Sequence, residues 1–121
     1  MAYDEFLADR IRRSLKEKAI TAEEKKMMGG LCFMVDGKMC LGLDTDKKTD
    51  TARLMCRIGE GQYEDALRKA HCTPMDFTGR VMKGYVFVTE KGLDSDSDLN
   101  YWIQRCLDFN PSAKSSKRKS K

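Results

Sequence analysis

The stretch that decides the fold is LCFMVDGKMCLGL, residues 31–43. Two apolar runs flank Asp36-Gly37, and Asp-Gly is favoured in a two-residue turn because both turn positions need positive φ. The sequence therefore predicts a β-hairpin over 31–43. With a two-residue loop, the predicted cross-strand pairs are Val35–Lys38, Met34–Met39, Phe33–Cys40 and Cys32–Leu41.

This pairing gives the hairpin two largely apolar faces, because side chains alternate between the faces of a strand. One face carries Cys32, Met34, Met39, Leu41 and Leu43. The other carries Leu31, Phe33, Val35, Lys38, Cys40 and Gly42. We therefore expect a central hairpin that is covered on much of both sides, with Cys32 and Cys40 on opposite faces.

The flanking sequence predicts three helices and two more strands. Apolar residues at helical spacing predict a helix over about 3–18, a short middle helix over 62–70 that ends before Pro74, and a C-terminal helix over 95–108. Alternating patterns predict strands over 52–58 and 80–89. In residues 19–27, Thr21 and Glu24 have capping-box spacing, which predicts a short second helical turn.

Short links between the strands favour an antiparallel sheet. The predicted fold class is α+β: an antiparallel sheet of about four strands with an N-terminal helix, a short middle helix and a C-terminal helix. We assign 1–110 to this domain and 111–121 to a disordered basic tail, since 121 residues is one domain's length.

The formal charge of +4 arises from the tail. Residues 112–121, SAKSSKRKSK, contain no acid, and without them the chain carries a net charge of −1. The five tail cations are Lys114, Lys117, Arg118, Lys119 and Lys121. They could contact the phosphates of a nucleic acid, in which case binding would depend steeply on salt. The alternative is a solubilising terminus without a ligand.

Several protein classes do not fit the sequence. Its apolar runs are far shorter than the roughly 20 residues that span a bilayer, so we expect no membrane association. The charged start MAYDEFLADR does not resemble a signal peptide. Five cysteines without a CxxC pair are typical of reduced thiols, so we expect a cytoplasmic protein with no metal and no cofactor.

The candidate catalytic patterns are incomplete. Cys72 follows the only histidine, His71, but no third group positions the pair. The GxG at Gly59 and Gly61 lacks the third glycine of a dinucleotide-binding motif, which favours a turn between a strand and a helix. A positive patch of Arg53, Arg57, Arg80 and Lys83 is a further candidate. We expect a non-enzymatic protein.

Five segments in order resemble the TfoX N-terminal domain family, bacterial proteins related to the TfoX/Sxy regulators of competence. These segments are Met27–Gly30, Asp36–Met39, Leu54–Arg57, Met75–Val88 and Asp98–Trp102. Met28 stands where the family pattern has Phe. The family-motif positions that can be carried over are Met28, Gly29, Gly30, Arg57, Lys83, Gly84 and Trp102.

The resemblance implies a module that acts through protein–protein contacts, in transcriptional regulation. In the two-domain regulators a helical domain follows this one, and we expect none here. The partner is unidentified, and a homodimer is a further option. Two alternatives stay open: a nucleic-acid-binding accessory protein that uses the tail, and small-ligand binding or an enzymatic role near Arg57 and Lys83.

Overall fold

The computed structural model describes residues 3–27, 29–77 and 80–113 and confirms the α+β fold. The helices are α1 (Glu5–Glu17), α2 (Glu60–Leu67) and α3 (Asp96–Phe109). The strands are β1 (Ala22–Met27), β2 (Gly30–Val35), β3 (Lys38–Asp46), β4 (Thr51–Arg57), β5 (Cys72–Phe77) and β6 (Arg80–Thr89). They form one antiparallel sheet in the order β1-β2-β3-β4-β6-β5, with six strands rather than about four.

The central hairpin is formed by β2 and β3, and the predicted pairs Val35–Lys38 and Met34–Met39 are confirmed. The next two predicted pairs are wrong. Phe33 pairs with Leu41, and Cys32 pairs with Gly42, because the register shifts where Cys40 is an extra residue on β3.

The register shift changes which residues share a face. Leu41 and Leu43 join Leu31 and Phe33 in the main core, instead of lying on the face of Cys32 and Met34. Cys40 also lies in this core, so Cys32 and Cys40 lie on opposite faces as predicted. A bulge cannot be read from alternation, since it inserts a residue without changing the residue types around it.

An edge strand, β1, occupies the segment in which we predicted a helical turn. The prediction over 19–27 is wrong because Ala19 has a positive φ of 60° and the chain reverses there. The exposed charges of β1 lie at the edge of the sheet, where charged side chains discourage pairing with other chains. Arg12 of α1 binds Glu24 with Nε–Oε2 and Nη2–Oε1 distances of 2.7 and 2.9 Å.

The other edge strand, β5, was not predicted. It contains Pro74, which cannot donate a backbone hydrogen bond and is therefore confined to sheet edges or bulges. Pairing with β6 is irregular between Pro74 and Asp76. The β5–β6 hairpin thus extends the sheet beyond the four predicted strands.

All three helices contribute buried side chains to one core, so they cover the same face of the sheet. On α3 the buried residues are Leu99, Trp102, Ile103 and Cys106, and they share the core with Leu54, Cys56 and Ile58 of the β4 region. Ser14 donates to Asn100 Oδ1, joining α1 to α3. The middle helix begins at Glu60 and ends at Leu67, rather than spanning 62–70.

A second group of buried apolar residues lies outside that core. Apart from Ala113, near the end of the described chain, its described members are Cys32, Met34, Met75 and Phe87. They belong to the sheet face that the helices leave uncovered. Among the described residues, no helix is both long and apolar enough to cross a membrane.

Candidate functional site

The uncovered face of the sheet contains a cleft of about 320 Å³. We call it the methionine cleft, after the side chains that dominate its walls: Met39, Met55, Met75, Met82, Tyr85 and Phe87. A Cβ atom at Gly42 would lie 3.0 Å from the Leu31 carbonyl oxygen and 3.3 Å from Met55 Cε. Glycine at this position therefore lets the cleft reach the backbone of β3.

An ion pair forms one side of the methionine cleft. Arg53 donates to both carboxylate oxygens of Asp44, with Nε–Oδ1 and Nη2–Oδ2 distances of 2.8 and 3.2 Å. Its Nη1 lies 3.6 Å from Asp46 Oδ2, and its guanidinium carbon lies 3.6 Å from the centre of the Phe87 ring. The positive charge predicted at Arg53 is therefore largely compensated by the two aspartates.

A second concave surface surrounds the start of α1 and has a volume of about 370 Å³. We call it the Phe6 surface, and its lining residues are Asp4, Phe6, Leu7, Arg10, Ala52, Glu90, Leu93, Asp94 and Asp96. Phe6 is 72% exposed, the most exposed large apolar side chain described. Four of these lining residues are acidic and only Arg10 is basic. Arg10 Nη2 lies 3.3 Å from both Asp96 Oδ1 and the Asp94 carbonyl oxygen, so its charge is already paired.

The cysteines behave as small apolar residues. Cys32, Cys40, Cys56 and Cys106 are buried, and Cys72 is half-buried. Burial raises the pKa of the Cys72 thiol to about 11, which disfavours the nucleophilic thiolate at neutral pH. His71 has a positive φ of 66° and its carbonyl oxygen accepts from Thr89 N. Within the described ranges, no group of three His, Cys, Asp or Glu residues is placed to hold a metal ion.

Comparison with protein families gives a match to the TfoX N-terminal domain over residues 14–110. The chain belongs to the TfoX N-terminal domain family. The match covers most of the chain and confirms the resemblance that its motifs indicate. No curated protein and no solved structure matches the chain significantly.

In this TfoX N-terminal domain, the motif glycines have backbone roles. Gly29 has a φ of +78° in the turn between β1 and β2. A Cβ atom at Gly30 would lie only 2.4 Å from the Leu43 carbonyl oxygen, so a larger residue would push β2 away from β3. Gly84 has a φ of +95°, and its carbonyl oxygen accepts from Ile58 N and Gly59 N at 2.9 and 3.1 Å.

The two basic motif positions have different surroundings. Arg57 is half-buried, donates from Nη1 to the Met39 carbonyl oxygen at 3.2 Å, and lies 5.6 Å from the centre of the Tyr85 ring. Lys83 is exposed. Neither residue lines the methionine cleft. Ligand binding or catalysis centred on these two residues therefore stays a prediction.

Trp102, a family-motif position on α3, is 4% exposed and packs in the main core. Its ring meets Tyr101 edge-on at 5.2 Å, and the Arg105 guanidinium carbon lies 5.5 Å from its centre. The other predicted positions lie outside the described residues: Met28, Lys114, Lys117, Arg118, Lys119 and Lys121. The role of the tail cations therefore stays a prediction.

Sequence reasoning missed the two concave surfaces. The predicted strands contain Met39, Met55 and Met82, but the cleft also needs Met75 of β5, a strand that the sequence does not predict. The Phe6 surface had a visible signal, since Phe6 and Arg10 are four residues apart and therefore share a helix face. That face is turned partly to solvent, while Leu7, Ile11 and Leu15 face the core.

Proposed function

We propose that this chain is a non-enzymatic interaction module that binds a protein partner through the Phe6 surface. The observation that carries the proposal is the exposure of Phe6, 72% in the folded chain. Aromatic side chains are enriched at the centres of protein interfaces, where they are surrounded by polar residues. Family membership supports a module of this kind. The matched range of 14–110 includes the lining residues from Ala52 to Asp96, while Phe6 itself precedes it.

The charges around Phe6 favour a basic partner. Asp4, Glu90 and Asp94 lie around the ring, and the one lining base, Arg10, is already paired with Asp96. Complementary charge raises association rates and excludes like-charged surfaces. The proposed partner surface therefore presents an apolar recess for the Phe6 ring within a basic rim.

Affinity capture with three versions of the chain tests the proposal: wild type, Phe6→Ala and Val81→Ala. Val81 is the matched control, because it is also an exposed apolar residue (57%) and lies outside the Phe6 surface. We expect a bound protein that Phe6→Ala loses, Val81→Ala retains and rising salt weakens. The free energy of unfolding of Phe6→Ala should stay within about 0.5 kcal/mol of wild type, since exposed side chains contribute little. Equal recovery by Phe6→Ala and wild type would contradict the proposal.

We extend this proposal to transcriptional regulation because the family resemblance implies it. If the extension is right, replacing the native gene by one encoding Phe6→Ala should change transcript levels as a gene deletion does, while Val81→Ala should not. A transcript profile that the deletion leaves unchanged would remove transcription from the proposal and leave the partner test intact.

A second candidate function is nucleic-acid binding through the tail. Five cations and no acid in residues 112–121 favour it. Each phosphate contact contributes a slope of roughly −0.9 to the dependence of log K on log salt, so five contacts give about −4.5 on duplex DNA. We expect binding by the full chain and none by a chain shortened to residues 1–113. Binding that survives the deletion would assign the contact to another surface.

A further inference from the structure

The methionine cleft shares no lining residue with the Phe6 surface. Its buried members Cys32, Met75 and Phe87 lie outside the main core, and it meets that core at Leu31 and Leu43. Four strands whose order in the sheet is β2-β3-β4-β6 line it, with Met75 from the edge strand β5. A binding role for this cleft is therefore independent of the proposed function.

The charges at the cleft favour a neutral ligand. Arg53 and Asp44 are its charged lining residues among those described, and they satisfy each other through two hydrogen bonds. Asp46 and the Phe87 ring also contact the Arg53 guanidinium. A charged ligand would lose its hydration without gaining an uncompensated countercharge, which is unfavourable.

The walls favour a ring-containing apolar ligand. A volume of about 320 Å³ lies at the lower end of the range typical of small-molecule sites. Thioether side chains adapt their shape and make favourable contacts with aromatic rings. Tyr85 and Phe87 add two aromatic side chains to the same cleft.

We propose that the methionine cleft binds a neutral, largely apolar small molecule with one or two rings. Because Gly42 carries no side chain, the ring of such a molecule reaches the backbone of β3 while methionines of β3, β4 and β6 close around it. The ligand would replace the water that now meets these apolar side chains, and this burial drives binding.

A matched pair of fluorescent probes tests the charge requirement. N-phenyl-1-naphthylamine is neutral, and 1-anilinonaphthalene-8-sulfonate has the same rings with an added sulfonate. We expect saturable one-to-one binding of the neutral probe and at least tenfold weaker binding of the anion. Equal affinities, or a signal from the neutral probe that does not saturate, would overturn the proposal.

Two variants on β6 locate the probe. Met82→Gln places an amide in the cleft, while Val81→Gln changes the adjacent exposed residue outside it. We expect Met82→Gln to weaken the neutral probe about tenfold, the equivalent of about 1.4 kcal/mol, and Val81→Gln to leave it unchanged. If both variants bind like wild type, the cleft is not the site.

A further measurement uses the wild-type chain, so its result does not depend on the folding of a variant. With 13C-labelled methionine methyl groups, the neutral probe should shift the signals of Met39, Met55, Met75 and Met82 in the full chain. Shifts confined to other methionines would overturn the proposal. Phe6→Ala should bind the probe like wild type, so failure of the partner proposal and failure of this one are distinguishable.

Discussion

At the residue scale, Gly84 shows how one backbone position connects two elements. Its carbonyl oxygen accepts from Ile58 N and Gly59 N, at the point where β4 leads into α2. A Cβ atom on Gly84 would lie 3.2 Å from the Gly59 carbonyl carbon and 3.3 Å from Glu60 N. Its φ of +95° is also a conformation that residues with a side chain rarely adopt.

We therefore expect Gly84→Ala to lower the free energy of unfolding by about 2 kcal/mol, from left-handed strain and the close backbone contact. Gly61→Ala is the matched control. A Cβ atom there meets nothing within 4 Å, and alanine in a helix stabilises it by up to about 1 kcal/mol over glycine. Urea unfolding measures both changes. Equal stability of the two variants would show that β6 relaxes around the added methyl group.

At the element scale, hydrogen bonds join the residues at the end of α3 to the β2–β3 turn. Asn110, buried just after α3, donates from Nδ2 to the Val35 carbonyl oxygen at 3.1 Å. Lys38 Nζ in turn contacts the carbonyl oxygens of Asn110 and Pro111 at 3.2 and 3.4 Å. These bonds hold the C-terminal helix to the hairpin that the sequence predicts most directly.

We expect Asn110→Ala to cost about 1–3 kcal/mol of unfolding free energy, because the buried Val35 carbonyl group would lose its side-chain donor. Gln104→Ala is the control on the same helix: its hydrogen bonds with Asp108 and Lys18 are both exposed, so a loss below about 0.5 kcal/mol is expected. Urea unfolding of both variants at one pH measures the two losses of stability. A loss for Asn110→Ala no larger than for Gln104→Ala would mean that water replaces the donor.

Whether an element could be predicted from the sequence depended on the strength of its local pattern. Strong local patterns, the Asp36-Gly37 turn and the apolar stripe of α3, predict their elements correctly. The two edge strands were missed because an edge needs little apolar alternation: β1 is mostly charged, and β5 contains Pro74. The methionine cleft could not be predicted, since it depends on the β5–β6 pairing and on the bulge at Cys40, both fixed by tertiary contacts.

At the scale of the whole molecule, cysteine thiols lie both in the main core and at the methionine cleft. Cys40 and Cys106 lie in the main core, and Cys32 lines the methionine cleft. Burial raises the pKa of all three thiols, and that of Cys72 to about 11. The folded chain therefore keeps protons that the unfolded chain releases near the ordinary cysteine pKa.

The stability of the whole chain should fall as pH rises above about 8.5, since the unfolded state then binds fewer protons than the folded state. Well above that pH, each thiol that stays protonated contributes a slope of about −1.4 kcal/mol per pH unit. Urea unfolding from pH 7.5 to 9 under reducing conditions measures how the slope steepens, at pH values where most tyrosines and lysines are still protonated. Cys106→Ala removes one such thiol and should be less stable at every pH, from the cavity, but with a shallower slope. An unchanged slope would mean that the Cys106 thiol ionises equally in both states and that the core does not exclude its charge.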